Sequence, residues 1–138
     1  MHSIETDDTL FQILNANSAL RNELRGGIYV WERPDDSKKE DIVINNLFIN
    51  HDVPQTGISN VNIHVPDVPR VINGKQQFKA DRERLRVLTT HTIAALKAAH
   101  IIGLAIRITN ESILKEPDIK EHYNNIRIEW NIHKITTY

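Results

Sequence analysis

The chain contains no cysteine, which removes disulfides, thiolate catalysis and Cys-ligated zinc from consideration and fits a reducing compartment. No apolar run approaches the ~20 residues that a membrane-spanning helix needs. The opening Met1-His2-Ser3-Ile4-Glu5-Thr6-Asp7-Asp8 is polar and acidic, without the basic stretch followed by an apolar one that marks a secretory signal. The expected setting is the cytoplasm, with no membrane contact. A dominant charge is missing too. The 17 Lys and Arg against 18 Asp and Glu leave a formal net charge of -1, so no global field draws the monomer onto nucleic acid or anionic lipid. Glycine is scarce, at 5 residues, and never forms a Gly-x-Ser-x-Gly elbow or a phosphate-binding loop. Hydrolase and nucleotide-binding readings therefore lose their usual anchors.

What is present is ordinary globular material. The 138 residues are 40% hydrophobic and 25% charged, enough for one domain with its own core and far from the composition of disorder. No repeat, low-complexity tract or change of composition divides the range 1–138. Leu10, Ile13, Leu14, Leu20 and Leu24 share one side of a helical wheel, with Thr6 or Asp7 as cap and Gly26-Gly27 as stop. The weak helix formers Asn15-Ala16-Asn17-Ser18 leave open one helix or two shorter pieces. Ile28 to Trp31 reads as a strand entering the turn Pro34-Asp35-Asp36-Ser37, and Ile42 to Ile49 as a second strand interrupted at Asn45-Asn46. In the third, Val61, Ile63 and Val65 alternate with Asn60, Asn62 and His64, which predicts one buried face. Asp67 to Lys79 reads as a long polar loop. Leu85, Leu88, Thr92, Ala95, Leu96 and Ala99 mark a helix from Asp81 to Ala99. A strand over Leu104 to Thr109, a loop through Pro117 and a last strand over Ile126 to His133 complete the chain. The expected class is α+β: a mainly antiparallel sheet of about five strands against two helices, in the order α-β-β-β-α-β-β.

Candidate chemistry is thin. The seven histidines, His2, His51, His64, His91, His100, His122 and His133, include no pair at the spacing that sets two on one helix face. His51-Asp52 and His64 would meet only if their strands pair end to end. No metal site, catalytic site or cofactor is expected. Pro66-Asp67 and Asp118-Ile119-Lys120 supply the letters of a metal-dependent nuclease, but far apart in the chain and with Asp118 in a loop, so this reading ranks last. The strongest cue is local charge. Arg70, Lys75, Lys79, Arg82, Arg84 and Arg86 face only Asp81 and Glu83 in the same stretch, which makes either a solvated face or a surface for a partner or for backbone phosphates. Trp130 shares a face with three isoleucines and belongs to the core. Trp31, beside Glu32-Arg33-Pro34, is either core or contact surface.

Read in order, the helix of Leu10 to Leu24, the strand and turn of Gly27-Ile28-Tyr29-Val30 and Pro34, the strand Val61-Asn62-Ile63-His64-Val65-Pro66 and the helix of Asp81 to Ala99 resemble the phage tail terminator family. The resemblance spans nearly the whole chain and rests on element order. It implies a non-enzymatic structural protein of a phage or prophage tail, present in the host cytoplasm during assembly and then in the virion. Such a protein forms a homo-oligomeric ring, commonly a hexamer, that caps the tail tube protein and meets the head-tail connector protein, with DNA passing through. Arg70 to Arg86 would then lie at a subunit or tube contact or line the channel. Head-completion and neck proteins have related folds, and an unrelated α+β interaction module fits the same residues.

Overall fold

In the computed structural model, which describes residues 1–133, three helices lie against one face of a mainly antiparallel five-stranded sheet, an α+β fold. The first helical stretch is two pieces, α1 (Ser3–Asn15) and α2 (Ser18–Glu23). Asn17 breaks it by accepting a hydrogen bond from Leu20 N–H at 2.9 Å, the bond of an N-cap residue. Thr6 and Asp7 are not caps. The helix begins a turn earlier, where Glu5 accepts from His2 N–H at 3.1 Å, and both residues are buried inside α1.

The sheet runs β1 (Ile28–Val30), β2 (Asp41–Ile49), β3 (Gln55–Pro66), then β7 (Glu121–Ile132) and β6 (Leu104–Glu116). Among the described residues only β1 and β2 pair in parallel. The interruption read at Asn45-Asn46 is a register shift between Asn46 and Phe48, a bulge that moves the following side chains to the other face. Gly26 permits the entry into β1: a Cβ there would stand 2.0 Å from the Glu40 carbonyl oxygen.

The core fills the space between sheet and helices. Leu10 and Leu14 of α1, Leu20 of α2 and Leu85, Leu88 and Leu96 of α3 (Arg82–Ala98) form one buried cluster with Ile42, Ile44, Val61, Ile63, Ile126, Ile128 and Trp130 of the sheet. Trp130 is fully buried, and its indole N–H donates to Ser59 Oγ at 2.9 Å.

Three expectations are corrected. The Asp67 to Lys79 loop is a hairpin of β4 (Val68–Ile72) and β5 (Lys75–Lys79). Its two-residue turn, Asn73-Gly74, has φ of 52° and 77°, the left-handed pair that matches strand twist in hairpins. The last two strands are also longer than their apolar alternation. Asn110 to Glu116, nearly all exposed, continues the pairing opposite Glu121 to Arg127, closed by the 3-10 turn Pro117–Ile119. Nor is β3 buried on one face alone: Asn60 and His64 are 8% and 9% exposed, and near His64 the Arg33 guanidinium reaches across to Glu121.

Ser59→Ala would strand the buried Trp130 N–H. The expected cost is about 1–3 kcal/mol, measured as a lower urea midpoint with an unchanged m-value.

Candidate functional site

No single pocket concentrates reactive groups among the described residues. What the fold builds is an exposed, partly basic and partly apolar surface along the β4–β5 hairpin, the start of α3 and the free edge of β6. Asp81 caps α3 by accepting from Arg84 N–H at 3.2 Å, so the helix starts where the hairpin ends and the two share their basic residues. Between them and β6 lies an open cleft of about 890 Å³, lined by Arg70, Lys79, Arg82, Arg86, Glu111 and Asn124 among others. Asn124 forms part of its wall, donating to Thr89 Oγ1 on α3 and to Glu111 Oε1 on β6, both at 2.9 Å.

The six cations singled out in the sequence do not act together. Arg70, Lys79, Arg82 and Arg86 border the cleft, and Arg86 is engaged with Glu83 one turn back in an exposed pair. Lys75 stands beside the hairpin turn, opposite Ile72. Arg84 faces inward. Its guanidinium donates to Glu40 at 2.6 and 2.8 Å, to Glu23 Oε1 at 2.5 Å and to the Glu23 carbonyl at 2.8 Å. Glu40 is almost fully buried, so Arg84 ties α2, the segment before β2 and α3 into one unit. Those carboxylates, Glu40 first, hold the Arg84 pKa above its ordinary value, and the Arg84 hydrogen bond holds Glu23 below the usual carboxylate range.

The hairpin carries apolar side chains into solvent: Val71 is 77% exposed, with Ile72 and Phe78 at 36% and 37%. Lys120 of the β6–β7 turn sits 4.0 Å above the Phe78 ring, a cation–π contact linking the hairpin to the main sheet. The outer half of β6 adds Ile113 and Leu114, both exposed. The sequence did hold the signal for this surface: Asn-Gly between two short runs.

Trp31 is 58% exposed but anchored. Its φ is 68°, and its indole N–H donates to Asp7 Oδ2 at 2.7 Å. It lies against α1, away from the basic residues. Burial raises the Asp7 pKa, partly offset by the Trp31 hydrogen bond.

The nuclease letters do come together, contrary to their separation in sequence: Asp67 N–H donates to the Lys120 carbonyl at 2.9 Å. Their reactive groups are occupied elsewhere. The Asp67 carboxylate meets His122 Nδ1 at 2.6 Å, and the Lys120 ammonium lies over Phe78. His51 and His64 sit at opposite ends of the β2–β3 ladder, and His51 lies by His2, with ring centroids 6.1 Å apart. His64, Glu116 and Glu121 place potential ligand atoms within 4.8 Å of one another.

No helix among the described residues is long and apolar enough to cross a membrane. The fold and surface thus define a class, an α+β domain with a projecting basic hairpin and a long free sheet edge. No family model and no curated protein sequence matches the chain.

Arg84→Ala leaves Glu40 buried without its main partner and is expected to cost about 3–5 kcal/mol, whereas Arg82→Ala should stay within about 0.5 kcal/mol, both by chemical denaturation. Asp7→Asn keeps an acceptor for Trp31 and removes a buried charge. The Asp7 pKa is raised on folding, so its ionisation opposes folding as pH climbs from the ordinary 3.8 through the raised value. The variant should melt above the parent at pH 7, with the gain vanishing at about pH 3, below the unfolded-state pKa.

Proposed function

We propose that this chain is a non-enzymatic assembly protein of the tail-terminator type. It forms a homo-oligomeric ring that ends a phage or prophage tail tube and meets the head connector. The observation that carries the reading is the β4–β5 hairpin: a separate two-stranded sheet, almost wholly exposed, with Val71 and Ile72 near its tip. A lone hairpin is marginal in water, and exposed apolar side chains on such an arm gain stability by burial against another subunit.

A closed ring needs a heterologous contact, made by two different patches on each subunit. The hairpin is one candidate patch. The other is the free edge of β6, whose outer half carries Glu111, Ile113, Leu114 and Glu116 and whose backbone groups have no neighbour on that side among the described residues. Apolar side chains and opposite charges, Arg70 and Lys75 against Glu111, suit the two patches to each other. Arg82 and Lys79 at the rim suit an acidic face of the tube or the phosphates of DNA passing the ring. Arg84 takes no part, because it holds the fold.

The test is Val71→Lys in the full chain, with native mass spectrometry and sedimentation in the presence of the tail tube protein. The exposed site predicts a melting temperature close to that of the parent, and the ring is lost. Rings that form undiminished with Val71→Lys, or a parent chain that stays monomeric with the tube protein present, would overturn the reading.

A further inference from the structure

At the far end of the sheet from His51 lies a second cluster of titratable groups, joined on β6 by Glu116. Asp41 on β2 stands opposite His64 on β3, Glu121 on β7 lies diagonally two residues on at the register Pro66↔Glu121, and Glu116 on β6 stands opposite Glu121. Glu116 and Glu121 face each other directly across the ladder, and like charges in that position repel. Glu121 is 2% exposed, which removes the water that would screen them.

The cation present does not balance the cluster. Arg33 donates to Glu121 Oε1 at 2.6 Å and to Asp41 Oδ2 at 3.3 Å, so one guanidinium serves two carboxylates while Glu116 forms no ion pair among the described residues. His64 completes the group. It is 9% exposed and stacks on Tyr123 with ring centroids 5.0 Å apart. Its Nδ1 has no hydrogen bond, although Glu121 Oε1 stands 3.3 Å away. A buried, unpartnered imidazole nitrogen beside two opposed carboxylates is a donor set without its acceptor.

We propose that His64, Glu116 and Glu121 bind a divalent first-row metal ion, of which zinc and manganese suit one imidazole and two carboxylates. The three ligand atoms already lie within 4.8 Å of one another, so small side-chain rotations bring them to coordination distance. Arg33 keeps Glu121 Oε1 and orients the carboxylate from outside, as hydrogen-bonding partners behind metal ligands do. The carboxylates of Asp41, Glu116 and Glu121 face the single guanidinium of Arg33, an excess of negative charge that a divalent ion offsets. The ion is structural: it joins β3, β7 and β6 at the end where the long strands leave the core.

The experiment uses the full chain, freed of metal with a chelator and titrated with zinc chloride by calorimetry, with thermal melts in parallel. One ion per chain and a higher melting temperature with zinc are expected, while magnesium at equal concentration has no effect. His64→Gln and Glu116→Gln should each weaken zinc binding at least tenfold. Glu116→Gln should also invert its effect on stability. In chelator it relieves the opposed carboxylates and melts at or above the parent; in zinc it melts below. Absence of saturable one-to-one binding overturns the proposal. So does binding that survives both substitutions, which would put the ion elsewhere, such as beside His2 and His51.

Discussion

The unbroken ladder between β3 and β7, from Gln55↔Ile132 to Pro66↔Glu121, is the constraint on which the rest of this structure depends. Its two strands are far apart in sequence, so closing it orders most of the chain at once. It sets Val61 beside Ile126 and brings Ser59 within reach of the Trp130 indole. The strands on either side, β2 and β6, add to a template that already exists. The same register also determines which polar groups meet. A slip of one residue would send Ile126, Ile128 and Trp130 to the open face and bury arginine and asparagine in their place.

The helices are held by a different kind of force. Leucines of α1, α2 and α3 supply the non-directional part of their attachment, and the Arg84 guanidinium supplies direction, because its planar donors reach Glu23 and Glu40 from one side chain. The same residue belongs in sequence to a run of cations that reads as surface charge. Of that run Arg84 was recruited inward and Arg86 pairs with Glu83 at the surface, while Arg70, Lys75, Lys79 and Arg82 stay on the outside of the fold.

Periodic apolar residues made the interior legible. The stripe Leu85, Leu88, Thr92, Ala95 and Leu96 and the alternation of Ile126, Ile128, Trp130 and Ile132 name the buried face of α3 and β7. Legibility stops where the paired residues turn polar. Asn110 to Glu116 is held by β7, and His122 to Asn125 is held between β3 and β6, and polar strand residues leave no period of two in hydropathy. The hairpin was lost differently: the polar composition of Asp67 to Lys79 outweighed the Asn73-Gly74 turn that fixes it. The cluster of His64, Glu116 and Glu121 lay beyond local spacing, since only the register of three strands assembles it.

The hairpin of β4 and β5 shares no ladder with the main sheet and touches it through few side chains, Phe78 against Lys120 among them. Changes in its sequence are therefore decoupled from the core: the arm can lengthen, shorten or exchange its exposed residues while the ladder of β3 and β7 stays intact. That independence gives the fold a way to change partners by drift at one tip, and it marks Asn73-Gly74 as a place where a probe or an inserted peptide can be carried without unfolding the domain.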